Sequence, residues 1–216
     1  MLKRIGQQYG GKIWVSEFLR RPSSHFYYGY PKDQVPHEMG QQIAVSVVAG
    51  RKFDASRLPH IKIAHDVDGA KRKLRKLLSI DGLYVDETAK LVMEQFNLGD
   101  TILHRVELFD ETGKAKKHDG FYYHVITREQ RPVVNRELGL EQAWIKPALF
   151  ELGTIQGRLR LELDAIANPQ TPGFSTSLDF WADAHVTHLL FFSDPLKKAL
   201  VKAGYGKLFD FQEFAS

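Results

Sequence analysis

Polar and apolar residues alternate along much of this chain, and at a few places the spacing shifts to that of a helix. Residues 11–19 (Gly-Lys-Ile-Trp-Val-Ser-Glu-Phe-Leu) read as a first strand. His25 to Pro31 is an aromatic stretch broken by Gly29 and Pro31, and reads as a short extended segment. Gln42 to Val48 is β-branched and apolar, the composition of a strand, and Ile61 to His65 suits a short one. From Gly69 to Leu78 the period changes. Ala70, Leu74, Leu77 and Leu78 form one stripe and Lys71, Arg72, Lys73, Arg75 and Lys76 take the other faces, so an amphipathic helix is expected there. A second helix is expected from Asp86 to Asn97. Asp86 would cap it, Ala89, Val92, Met93 and Phe96 would make its apolar face, and Gly99 would close it.

Beyond this point strand spacing returns. Thr101 to Phe109 and Gly120 to Thr127 read as two strands, with Asp110 to Gly113 as a turn whose glycine takes the left-handed position. Val133-Val134 and Trp144-Ile145 read as short extended pieces. Arg158 to Ile166 sets Leu159, Leu161 and Leu163 against Arg160, Glu162 and Asp164, the pattern of a half-buried strand, and residues 168–177 read as a loop. His188 to Phe192 reads as a buried strand. Asp194 and Pro195 then open a helix with Leu196, Ala199, Leu200 and Ala203 on its inner face. Gly204 ends that helix, and Lys207 to Phe214 would return as a last strand. These elements predict an α+β protein of mostly antiparallel strands with about three helices and a C-terminal strand–helix–strand unit. No repeat or linker divides residues 1–216, so a single domain is expected.

Composition narrows the chemistry. Hydrophobic residues make up 43% of the chain, enough for a sizeable core. Cysteine is absent, which excludes disulfides, thiolate metal sites and a thiol nucleophile. No apolar run approaches the roughly 20 residues of a membrane helix, and the first residues lack the apolar stretch of a signal peptide. A cytoplasmic location is the expectation. The net charge of +4 is a local feature. Residues 51–79 hold nine Lys or Arg against three Asp, and the rest of the chain is slightly acidic. The basic segment 70–78 can be read as a solvated face, a patch for an acidic protein, or a phosphate-binding surface. No aromatic residue interleaves its cations, which speaks against stacking on single strands.

Candidate chemistry is sparse. His185 and His188 lie three apart, without the i, i+4 spacing of a helical zinc site. The acids at Asp66 and Asp68 fail the calcium-loop template, because Ala64 and Arg75 fall on ligand positions. No metal or cofactor is therefore expected. His118 and His124 lie six apart and would share a face if both belong to one strand, the geometry of an acid/base pair in a hydrolase-like enzyme. No nucleophile elbow, P-loop or dinucleotide loop accompanies them. The run Phe26-Tyr27-Tyr28-Gly29-Tyr30 can be core or contact surface, since a tyrosine ring with a polar tip gains area at low entropic cost.

The C-terminal half resembles a known family. The carriers are Gly120-Phe-Tyr-Tyr-His-Val-Ile-Thr followed by Val133-Val134-Asn135, then Leu159 to Ile166, then Leu178-Asp179-Phe180-Trp181. They continue through Leu189-Leu190-Phe191-Phe192-Ser193-Asp194-Pro195-Leu196-Lys197-Lys198-Ala199-Leu200 to Ala203-Gly204 and Phe209. Over residues 120–211 this resembles the Imm11 immunity-protein family of bacterial polymorphic toxin systems, while 1–115 match it in length and placement only. The resemblance implies a cytoplasmic protein that binds and occludes a cognate toxin, and it brings no catalytic residues to this chain. Tyr28, Tyr30, Asp183 and His185, all in loop-like stretches, are the contact residues expected on that reading. The positive net charge departs from the acidic character usual in inhibitors of nucleic-acid-cutting toxins and leaves the toxin's type open.

Overall fold

The computed structural model describes residues 12–21, 25–31, 33–36, 39–40, 43, 55–65, 73–127, 178–183 and 186–215. Within them the chain is α+β, with two mostly antiparallel sheets and three helices. The first sheet is wholly antiparallel, in the order β10–β1–β9–β8, from β1 (Ile13–Ser16), β8 (Phe180–Asp183), β9 (Val186–Ser193) and β10 (Gln212–Ala215). The second runs β2–β3–β6–β7–β5–β4. Its strands are β2 (Tyr28–Gly29), β3 (Ile61–Ala64), β4 (Leu77–Ser79), β5 (Leu83–Asp86), β6 (Ile102–Phe109) and β7 (Tyr122–Ile126). Only its β3–β6 pair is parallel. This sheet curls into a half-barrel. Its two edges nearly meet, because His25 bridges Ser79 and the Phe26 N–H donates to the Ser79 carbonyl at 2.8 Å.

Curling gives the second sheet two buried faces. Leu77, Leu83, Val85, Tyr123 and Val125 point outward into a core shared with the first sheet's Phe180, Leu190 and Phe192. Helix α1 (Glu87–Met93) contributes Ala89 and Met93 to it, and helix α2 (Asp194–Lys202) contributes Leu196 and Leu200. The short helix α3 (Gly206–Phe209) adds Phe209. Inside the curl, Phe26, Tyr28, Ala64, Leu78, Tyr84, Val106, Leu108 and Tyr122 form a second core. Strand β7 lies between the two, so all five of its residues are buried and its sequence shows no polar face.

Several expectations need correction. No helix spans Gly69 to Leu78. Residues 66–72 lie outside the described residues, 73–76 are not helical, and Leu77–Ser79 is strand β4, paired with β5 through Leu77–Val85 and Leu78–Tyr84. Adjacent Leu77 and Leu78 enter opposite cores, which only an extended chain permits. The first strand stops at Ser16, and a 3₁₀ turn follows at Phe18–Arg20. The last strand starts at Gln212, since 206–209 are helical. Ser193, not Asp194, caps α2: its hydroxyl accepts from the Leu196 N–H at 3.3 Å. Helix α1 begins as expected, with the Asp86 carboxylate accepting from the Ala89 N–H at 2.9 Å. Gly113 takes its left-handed turn at φ 70. The strand expected over Gln42–Val48 lies outside the described residues apart from Ile43, which is helical rather than extended and packs near Ala55, Leu58 and Ile126. Val133-Val134, Trp144-Ile145, Arg158–Ile166 and 168–177 also lie outside them.

Candidate functional site: a polar cluster inside the curled sheet

The polar residues that converge lie within the half-barrel. Strand β3 alternates, and its inward positions are Lys62 and Ala64. Lys62 therefore enters the interior, where it is 1% exposed. Its ammonium lies 3.7 Å from the centre of the Tyr30 ring and 2.5 Å from Oδ2 of Asp81, in the tight turn between β4 and β5. The other carboxylate oxygen accepts from the Tyr84 hydroxyl at 2.6 Å. The Tyr84 ring stacks on His124 of β7, centroids 4.4 Å apart. His124 faces His104 across the β6–β7 ladder, and His104 stacks on His60 at 4.5 Å. A column of rings thus runs from exposed His60, through His104 and His124, to the buried Lys62–Asp81 pair.

Burial and charge compete at each member. Burial pushes the Asp81 carboxyl up, but the Lys62 ammonium outweighs it and, with the Tyr84 hydrogen bond, holds the group at about 2. Burial pulls the Lys62 amine down against the opposing pull of Asp81. His124 is wholly buried, and burial lowers it to about 4 against the attraction of Asp81, so its ring is neutral near pH 7. Among the described residues neither of its ring nitrogens has a hydrogen-bond partner. His104 is also lowered by burial, opposed by its bond to the Pro59 carbonyl at 3.2 Å. The cluster therefore offers a buried ion pair, phenols held in their donor form and neutral imidazoles. Among the described residues, no group of three or more His, Asp or Glu is placed to hold a metal ion.

The expected site residues are scattered. His118 and His124 do not share a face. His118 is exposed in the turn before β7, where its Nδ1 accepts from the Gly120 N–H at 2.9 Å, while His124 lies in the interior. The strand starts four residues after His118, too late to align the two rings. Tyr28 is buried with its ring in the inner core, and Tyr30 lies half-buried under Lys62, so neither is a free surface anchor. Asp183 ends β8 opposite Val186, and His185 lies outside the described residues. Lys71 and Arg72 also lie outside them. Lys73, Arg75 and Lys76 are exposed but not helical, with Lys76 lying 5.3 Å from the centre of the Tyr205 ring.

Sequence reasoning missed Lys62, Asp81, Tyr84 and His104. The one local signal was a lysine at the centre of the apolar run Ile61-Lys62-Ile63-Ala64, since no short-range spacing links position 62 to position 81. It also missed Asp179 as a joint. That buried carboxylate accepts from the Ser193 hydroxyl at 2.5 Å and from the Asn97 N–H at 2.9 Å, tying the start of α2 to the segment after α1. No family model matches the chain, and no curated protein is significantly similar to it.

Proposed function

We propose that this protein neutralises a cognate bacterial toxin in the cytoplasm by binding it and covering part of its surface. The observation that carries a binding role is the orientation of the aromatic segment. Phe26 and Tyr28 turn into the inner core, while Tyr27 between them is 61% exposed. Buried neighbours fix the backbone on both sides of this exposed ring, so docking it orders only its own side chain. Leu91 on α1 and Val201 on α2 are exposed apolar side chains as well. The C-terminal unit runs from apolar strand β9 through the Ser193 cap, Asp194 and helix α2 to Ala203-Gly204, as expected from the resemblance, with the short helix α3 added before the last strand β10.

Co-expression with the toxin encoded beside this gene tests the reading. The expected result is survival of cells that otherwise die, and a complex that co-purifies. Tyr27→Ala should weaken that complex by roughly tenfold or more, the range for truncating an interface aromatic. Equal killing with and without the protein would overturn the proposal. No helix of the described residues is long and apolar enough to cross a membrane.

A further inference from the structure

The Lys62–Asp81 pair has an unusual set of properties for an ion pair. The amine is 1% exposed, lies against one oxygen of the carboxylate at 2.5 Å, and is walled by the Tyr30 and Tyr84 rings. The second oxygen is held by the Tyr84 hydroxyl at 2.6 Å. Both partners come from rigid elements, a strand and a tight hairpin turn closed by the Ile80 N–H to Gly82 carbonyl bond at 3.2 Å. An amine fixed against a carboxyl whose other oxygen is polarised by a donor is an acyl-transfer arrangement.

We propose that Lys62 and Asp81 condense to an intramolecular isopeptide bond, joining Nζ of Lys62 to Cγ of Asp81. The Lys62 nitrogen attacks Cγ while Tyr84 holds Oδ1 and stabilises the charge that develops on it. The Cγ–Oδ2 bond breaks, and Oδ2 leaves as water with two protons from the ammonium. Ammonium and carboxylate become a neutral secondary amide and water, so atoms and charge balance with no added reagent. Moving one proton along the Nζ–Oδ2 contact turns the ion pair into the amine and acid that react. Burial favours the direction of change, because two desolvated charges are replaced by an uncharged group. Holding the two groups together supplies the effective concentration that free amines and acids lack. Asp81 sits at the rim with 14% of its side chain exposed, which gives the released water an exit. The bond would link β3 to the β4–β5 turn, a hairpin that the sheet order separates from β3 by β6 and β7, and so close the half-barrel covalently.

The test is the mass of the purified full-length protein under denaturing conditions, followed by peptide mapping. The expected result is a chain lighter by one water than its sequence, with a branched product in which the peptide holding Lys62 is joined to the one holding Asp81. Lys62→Arg should restore the full mass. The proposal is overturned if the unmodified protein has its full sequence mass, or if Lys62→Arg keeps the deficit. It is equally overturned if the deficit maps to a linear peptide, because Asp81 precedes Gly82 and could lose water to that backbone amide instead. The reading of the wild-type mass does not depend on whether the variant folds.

Discussion

At the scale of single residues, His124 has the clearest consequence. Its ring is neutral in the folded protein at pH values where the unfolded chain binds a proton. Folding stability should therefore be unaffected by this group above about pH 6.5, fall as the pH drops from there towards 4, and level off below. The loss from this one group amounts to about 3 kcal/mol at most. Denaturant midpoints measured between pH 7 and pH 4 give the slope, which His124→Phe should flatten. An unchanged slope in that variant would count against the assignment. Asp210 is a second case. It ends α3 in the left-handed conformation at φ 52, and its carboxylate pairs with Arg21. Glycine accepts that backbone without strain and alanine does not, so Asp210→Ala should be about 1 kcal/mol less stable than Asp210→Gly in chemical denaturation.

At the scale of elements, the start of α2 depends on a chain of polar contacts. Ser193 caps the helix and donates to the buried Asp179, which also holds the backbone of Asn97. Ser193→Ala removes the cap and leaves one carboxylate oxygen short of a partner. A loss of about 2 kcal/mol is expected, seen as a lower denaturation midpoint with an unchanged slope. Ser193→Thr, which keeps the hydroxyl, should recover most of it. The elements also show how far local pattern reaches. Helix α1 and its Asp86 cap, the turn at Asp110–Gly113 and the strand–helix ending were legible, because each is set by neighbours within a few residues. The hairpin edge at Leu77–Ser79 was not. Its apolar residues sit at helical spacing, and only pairing with Leu83–Val85 makes the extended form the better one.

At the scale of the whole molecule, the two sheets share one core while the curl of the second encloses another, and the Lys62–Asp81 pair spans the inside of that curl. Removing the carboxylate would leave a cation buried without its partner. Asp81→Ala should therefore cost at least roughly 3–5 kcal/mol, the range for breaking a buried pair from one side, because the proposed amide is lost with the pair. A thermal midpoint within a degree or two of the parent would show that the pair does not support the curl. The surface behaves differently. Substitutions at Tyr27, 61% exposed, should leave stability within about 0.5 kcal/mol.

Alternating and helical spacing in the sequence determined the class of fold, the capped helices and the C-terminal strand–helix–strand order, since these follow from contacts between near neighbours. Tertiary structure alone decided which polar residues meet. Lys62, Asp81, Tyr84 and His124 come from three strands and a turn, and they converge only because the sheet curls. The same curl turned Tyr28 inward and left Tyr27 outside, because residues next to each other on an extended chain must face opposite ways.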